Sequence, residues 1–158
     1  MVVVAIIAIL FIAVAMVAQT SIRRARVGKA QADLNRIGKA VRQLEVDTEQ
    51  SPFDAPLTTC INASIVNRLL NETTNSGILH NSSLIYNNWN GPYMESIPND
   101  PWGQPYKFSA RYSCLNTTRG CEDFVSPTNV RAIFSMGSDK LSNNPSNRID
   151  DVVLVLCH

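Results

Sequence analysis

The first eighteen residues, Met1 to Ala18, form an apolar run that contains no charge, no proline and no glycine. A helix of this length rises about 1.5 Å per residue and covers roughly 27 Å, close to the bilayer core thickness of about 30 Å. Valine and isoleucine favour strands, but a backbone in lipid must satisfy its hydrogen bonds within its own segment, as a helix does. The run therefore predicts a membrane-spanning helix. A cleaved secretory signal is the alternative, but no basic region precedes the run and no small-residue cleavage site follows it.

The helical pattern continues beyond the apolar run. No proline occurs between Gln19 and Gln50, and apolar residues there recur at spacings of three and four. This stripe consists of Val27, Ala30, Leu34, Ile37, Val41 and Leu44. Charged residues occupy the opposite face, so the pattern predicts one continuous rod. Residues 1–50 are thus predicted as a transmembrane and assembly helix that contacts neighbouring subunits. The assembly residues selected from it are Val4, Ile9, Ala13, Leu34, Ile37 and Val41.

Residues 51–158 are predicted to form one globular head. Prolines at 52 and 56 end the rod, because proline lacks a backbone donor and disfavours helix in the residue before it. An amphipathic pattern predicts a short helix from Ile61 to Leu70, and the polar stretch 71–90 predicts a loop. Three segments read as strands: Tyr106 to Tyr112, Val130 to Met136 and Val152 to Cys157. The fold class is therefore α+β, with a long amino-terminal helix packed on a small antiparallel sheet.

The net charge of the chain is +1, and its one basic tract lies just after the apolar run. This tract comprises Arg23, Arg24, Arg26 and Lys29. Such a charge balance gives no support to nucleic-acid binding. Basic residues beside a span usually mark the cytoplasmic side, whereas the rest of the chain indicates an external head. We interpret the tract as contacts to lipid head groups and neighbouring subunits.

Four cysteines lie in the head, and none belongs to a C-x-x-C pair suited to zinc or redox chemistry. An even number in an external domain predicts two disulfides. We predict Cys114 with Cys121, which closes a short loop, and Cys60 with Cys157, which ties the chain end to the segment leaving the rod.

An external head also makes the four N-x-S/T sequons candidates for glycosylation. Their acceptor residues are Asn62, Asn71, Asn81 and Asn116. Asparagine-rich loops produce such triplets by chance, so each sequon alone is a weak signal.

Residues suited to catalysis are few. His80 stands in a polar loop, and the neighbouring Cys157 and His158 would point to opposite faces of a strand. No acid, base and nucleophile therefore converge, and we predict that the protein is not an enzyme.

Three separate motifs resemble one known family. The run VVVAIIAIL resembles the amino-terminal helix, or class III signal, of type IV pilins and type II secretion pseudopilins. The segment Asp100-Pro101-Trp102-Gly103 resembles the D-P-W-G motif of the major pseudopilin. The segment Gly137-Ser138-Asp139, together with Asp150 and Asp151, resembles the calcium loop of the same family. The resemblance implies a pilin-like fold and a filament-forming subunit.

A calcium site follows from that resemblance and from the residue types of the loop. Asp139, Asp150 and Asp151 bracket a stretch rich in serine and asparagine, and calcium prefers such oxygen ligands. The alternative is a polar surface loop without a metal. Trp102 also has two interpretations: a stacking platform for a ligand, or a ring that fills the junction of sheet and rod, which we favour.

The function predicted from these features is that of a structural subunit of an extracellular or periplasmic helical filament. That filament is a type IV pilus or a type II secretion pseudopilus, and it polymerises through the apolar helix. The implied partners are identical subunits, the inner-membrane assembly machinery and, before assembly, the membrane itself. The alternatives are a membrane-anchored binding or adhesion protein and a DNA-uptake pilus subunit.

Overall fold

The computed structural model describes residues 2–56, 60, 66–81, 84–125, 127–141 and 149–157. Within them, a long helix, α1 (Val2–Thr48), leads to a small hairpin and an antiparallel sheet of four strands. The hairpin consists of β1 (Gln50–Ser51) and β2 (Ala55–Pro56), joined by one 3-10 turn, Pro52–Asp54. The sheet has the order β3 (Arg68–Leu70), β4 (Tyr106–Cys114), β5 (Thr128–Ser135), β6 (Val152–Cys157). The α+β architecture, a helix on a small antiparallel sheet, is confirmed.

Helix α1 ends where the sequence predicts. The Thr48 hydroxyl donates to the Leu44 carbonyl at 2.7 Å, and the Glu49 N–H donates to the Glu45 carbonyl at 3.0 Å. Glu49 then adopts a left-handed conformation with φ of 54°, which turns the chain out of the helix. Pro52 lies three residues further on and disfavours a continuation of the helix, because proline lacks a backbone donor.

Most of the predicted membrane span lies outside the residues whose side chains are described. In α1 the side chains at 2–6 and 8–18 are among those left undescribed, and so are those of the assembly residues Val4, Ile9 and Ala13. Among the residues whose side chains the structure describes, no helix combines the length and apolar character needed to cross a bilayer.

The apolar stripe of α1 packs against the sheet of its own chain. Five residues of the stripe have no exposed surface and form one cluster with residues of the sheet: Ala30, Leu34, Ile37, Val41 and Leu44. Their partners include Tyr106, Phe108 and Ile133. Each fully buried aliphatic side chain contributes about 1.5 to 3 kcal/mol relative to an exposed one.

This packing corrects the predicted role of three residues. Leu34, Ile37 and Val41 were expected to contact neighbouring subunits, but all three are fully buried within one subunit. Because an amphipathic stripe indicates only that a face is covered, its period could not distinguish a sheet of the same chain from another helix. In the described part of the chain, α1 supplies six of the fifteen buried residues of this cluster, so its carboxyl-terminal half packs as part of the core.

Two polar links also join α1 to the sheet. The Tyr106 hydroxyl donates to Asp33, which also pairs with Lys29 at 3.0 Å. Burial raises the pKa of Tyr106, and the Asp33 carboxylate beside it adds to that effect. On the other link, Arg131 of β5 lies 3.4 Å from Glu45. These links orient the helix across the sheet as well as burying it.

The face of the sheet that is turned away from α1 has a smaller core of its own. Tyr112, Val130, Phe134 and Val153 cluster there with the half-buried Phe124, and the rings of Tyr112 and Phe134 lie 4.7 Å apart. The segment after β4 covers this face. Strand β4 is therefore buried on both faces along much of its length, instead of having one solvent-exposed face.

The predicted strands are confirmed, with β4 ending two residues later than expected and β5 beginning earlier. The predicted helix from Ile61 to Leu70 is wrong at its end, because Arg68–Leu70 is strand and pairs with β4. Residues 61–65 of that prediction lie outside the described residues. Stretch 71–90 is loop in its described part, held by the Tyr86 hydroxyl, which donates to the Ser76 carbonyl at 2.9 Å.

Both predicted disulfides form. Cys114 pairs with Cys121, seven positions further along the chain, and Cys60 pairs with Cys157, 97 positions further along. Disulfides of this kind stabilise a domain by about 2 to 4 kcal/mol, mainly by restricting the unfolded chain. All described cysteines are oxidised.

Candidate functional site

The Asp100-Pro101-Trp102-Gly103 segment forms a corner that a single carboxylate organises. Asp100 Oδ1 accepts the N–H groups of Trp102 at 3.0 Å and of Gln104 at 2.7 Å. Its Oδ2 accepts the Ser135 hydroxyl of β5 at 2.6 Å. Asp100 is only 4% exposed, so these are strong, charge-assisted hydrogen bonds. The corner is therefore tied to the end of β5 by one buried aspartate.

Trp102 lies partly buried against the core cluster of helix and sheet. Gly103 follows it with φ of +81°, which lets the chain turn back into β4. This position agrees with the interpretation that the ring fills the junction of sheet and rod. The rest of its surface lines a cleft, described below.

The turn at Ser138 and Asp139, which begins the carboxyl-terminal loop, is organised by Asp150. Its Oδ2 accepts the N–H and the hydroxyl of Ser138, both at 2.7 Å, and the N–H of Asp139 at 3.1 Å. Asp139 Oδ1 in turn accepts the Leu141 N–H at 2.8 Å. Residues 142–148, with the other predicted oxygen donors, lie outside the described residues.

Asp151 has a different environment from Asp150. It is 1% exposed, and its Oδ2 accepts the Tyr112 hydroxyl at 2.7 Å beneath the sheet. Burial lowers the pKa of Lys107, and the Asp151 carboxylate opposes that shift. Since neighbouring residues in extended chain point in opposite directions, Asp150 faces the surface turn while Asp151 faces the interior.

The predicted calcium ligands therefore do not act as a set of three. Within the described ranges, no three acidic, histidine or cysteine side chains lie close enough together to hold a metal ion. Asp139 and Asp150 share one surface turn, whereas Asp151 is already used by Tyr112. A calcium ion at this loop would have two of the predicted carboxylates available, and Asp151 does not fit as its ligand.

The Cys114–Cys121 loop rests on the last strand. The Val153 N–H donates to the Arg119 carbonyl at 2.9 Å, and Arg119 bridges Val152 in parallel register. The Gly120 N–H donates to the Glu122 side chain at 2.7 Å. These contacts fix the path of the loop, so that Arg119 is presented on the side of the head near α1.

A cleft of about 880 Å³ lies between residues 19–31 of α1 and three parts of the head. The head contributes the Trp102 corner, the Cys114–Cys121 loop and the turn at Ser138 and Asp150. Four arginines line the cleft: Arg23, Arg24 and Arg26 from the helix, and Arg119 from the loop. We call it the arginine cleft. The sequence indicated the three helical arginines, but no local signal connected Arg119 with them.

The sequons differ in how their amides are used. Asn81 donates to the Tyr86 carbonyl at 2.9 Å and accepts its N–H, so its side chain is engaged at both ends. Asn71 accepts the Thr73 hydroxyl at 3.0 Å within a local turn. Asn116 is exposed in the disulfide loop, and Asn62 lies outside the described residues. Glycosylation stays a prediction, and Asn116 is the most accessible of the three described acceptors.

The residues considered for catalysis are not brought together. Cys157 is bonded to Cys60, which removes its thiol, and His158 lies outside the described residues. His80 is half-buried in the loop 71–81. The cysteine and histidine chemistry considered from the sequence therefore has no nucleophile among the described residues.

The family model described as type II secretion system (T2SS), protein G matches residues 17–114. The match runs from the exposed part of α1 through the Asp100 corner to the end of β4. It covers more than half of the chain. No curated protein and no solved structure matches the chain.

Proposed function

The chain belongs to the type II secretion system protein G family, and we propose that it is a structural subunit of a secretion pseudopilus. In this proposal the subunit is held in the inner membrane by its apolar helix before assembly. It then joins identical subunits in a helical filament in the periplasm or outside the cell. The family is a structural one, so this function requires no catalytic site.

One observation supports this proposal most directly: α1 extends beyond the head. The described side chains before Val27, which are Ile7 and residues 19–26, are all exposed, and Ile7 is exposed to 61%. Burial in the head begins at Ala30. An apolar side chain such as Ile7 that the head leaves exposed is suited to burial by lipid or by other subunits, which supports the proposal.

A type IV pilus and a DNA-uptake pilus remain alternatives within the filament class. The two disulfides and the sequons suit any exposed filament, whereas the family match favours secretion. A membrane-anchored binding protein is the alternative outside that class. Deleting the gene for this chain from a secreting cell distinguishes these alternatives. For a secretion pseudopilus, secretion of the exported protein should stop, while surface pili and DNA uptake should be unchanged.

Filament formation should depend on the apolar run. Ile9→Arg places a charge in a lipid or helix-bundle setting, at a cost of roughly 2.5 to 3.5 kcal/mol on insertion scales. We expect filaments in electron micrographs of cells with the assembly machinery to disappear. Val125→Arg is the matched control, because Val125 lies on the head and is 88% exposed. Normal filaments from Ile9→Arg, with both disulfides formed, would contradict the structural role.

A calcium ion at the carboxyl-terminal loop is a second part of the proposal, with Asp139 and Asp150 as its carboxylate ligands. When bound, the ion would offset the repulsion between the two carboxylates and hold the loop against the sheet. The response of the melting temperature to calcium tests this directly. Above the dissociation constant, each tenfold increase in calcium should add about 1.4 kcal/mol of stability by mass action.

The variant Asp139→Ala should lose that response, whereas Asp123→Ala should keep it, because Asp123 is exposed in another loop. Differential scanning calorimetry of the full chain in micelles, with millimolar calcium or chelator, measures both. Equal melting temperatures of the unmodified chain in the two conditions would mean that the loop is a polar surface loop without a metal.

A further inference from the structure

The arginine cleft holds four cations that form no ion pair with the described residues. Arg23, Arg24, Arg26 and Arg119 are all exposed. In the described part of the chain, the ion pairs are Lys29 with Asp33 and Arg131 with Glu45, so none of the four takes part in one. Exposed arginines that line one cleft give its surface a local positive potential, which attracts anions.

The acidic side chains that line the cleft are engaged elsewhere. Glu122 accepts the Gly120 N–H, Asp150 accepts three donors of the Ser138 turn, and Asp151 accepts the Tyr112 hydroxyl. These contacts occupy part of the hydrogen-bonding capacity of the three carboxylates, whereas the four arginines of the lining exceed them in number. The net charge of the lining is therefore positive and favours an anionic ligand.

The cleft lies just beyond the apolar run on the same helix. Arg23 and Arg26 follow Ala18 by five and eight residues, which is about 8 and 12 Å along the helix axis. The head-group region of a bilayer is roughly 5 to 8 Å thick on each side, within reach of long arginine side chains. Trp102 lines the cleft as well, and tryptophan is enriched at membrane interfaces.

We propose that the arginine cleft binds the phosphate of an anionic phospholipid, so that Arg119 docks the head on the membrane surface before the subunit assembles. Arginine suits this ligand because its planar group pairs with two phosphate oxygens at once. The new element is the head: Arg119, held by the disulfide loop and by Val153, completes a site that the helix begins. This inference rests on the proposed anchoring of the apolar helix in the membrane.

Lipid retention by the purified full chain tests the proposal. The chain in non-ionic detergent micelles is titrated with phosphatidylglycerol or with phosphatidylcholine, and native mass spectrometry counts the bound lipids. We expect phosphatidylglycerol to bind preferentially. Each arginine near a membrane surface contributes about fivefold in affinity, so Arg119→Gln should weaken binding about fivefold and the double variant Arg23→Gln/Arg26→Gln more than tenfold.

Arg111→Gln is the matched control, because Arg111 is exposed on β4 and does not line the cleft. It should bind phosphatidylglycerol like the unmodified chain. All four arginines are exposed, so the variants should keep the melting temperature of the parent, which verifies their folding. Raising the salt concentration to 1 M should weaken binding in the parent more than in Arg119→Gln.

Three results would overturn the proposal. The first is equal retention of the two lipids, and the second is an Arg119→Gln variant that binds like Arg111→Gln. The third is displacement of the lipid by millimolar inorganic phosphate, which would identify a free-phosphate site. The assay needs no filament, so it is independent of the filament loss expected for Ile9→Arg, and either proposal can fail alone.

Discussion

Replacing Gly120 with alanine is expected to destabilise the head by about 4 kcal/mol. Gly120 has φ of +95°, a conformation that side-chain-bearing residues rarely adopt, and strain of this kind costs about 1 to 3 kcal/mol. An added Cβ would also meet the backbone carbonyl of Val153, closer than real Cβ atoms approach. Strand β6 cannot yield without breaking its pairing with β5, so overpacking adds about 1 to 3 kcal/mol.

Gly103→Ala is the matched control for this effect. Gly103 also has a positive φ, of +81°, but a Cβ there would meet no atom within 4 Å. Its cost should therefore be the conformational one alone, about 1 to 2 kcal/mol. Urea denaturation of the two variants in the full chain measures the difference. Equal losses would show that contact with Val153 does not restrain the disulfide loop.

Replacing Asp100 with alanine should destabilise the chain by about 3 to 5 kcal/mol. The change leaves the N–H groups of Trp102 and Gln104 and the Ser135 hydroxyl without their acceptor. A buried donor that loses its partner costs about 1 to 3 kcal/mol. Thermal unfolding followed by circular dichroism should show a melting temperature lower by about 10 °C for a chain of this size.

Two further variants interpret the Asp100 result. Asp100→Asn keeps one acceptor oxygen for the two N–H groups, and its amide can donate to Ser135, so it should lose less than half as much. Asp123→Ala removes an exposed aspartate and should change stability by less than 0.5 kcal/mol. If Asp100→Ala behaved like Asp123→Ala, the corner would not depend on this carboxylate.

The apolar stripe of α1 shows which features follow from the spacing of residues and which follow only from tertiary packing. The spacing of Leu34, Ile37 and Val41 predicts a helix with one covered face, and the structure has both. The same spacing was interpreted as contact with other subunits, whereas the covering surface is the sheet of the same chain. A consequence is that residues 51–158 alone lack the six helical residues of the cluster that α1 and the sheet share.

The adjacent acidic residues Asp150 and Asp151 show how alternation along an extended chain places neighbouring carboxylates in different environments. Asp150 and Asp151 immediately precede β6, where neighbouring side chains point to opposite faces. The same reasoning separated Cys157 from His158. Applied to the aspartates, it would have predicted one carboxylate at the surface turn and the other in the interior.

The sequence by itself determined the local features of this protein: the long helix and its end near Thr48, the three longer strands, and the number of disulfides. These depend on residue period, on proline and on cysteine count, which are properties of short stretches or of composition. The tertiary structure alone decided that Arg68–Leu70 is a strand, because pairing with β4 outweighs its helical pattern. It also decided that Arg119 and Arg23 line the same cleft. Residues so far apart in sequence come close only when the sheet packs on the helix, and no local sequence pattern predicts this proximity.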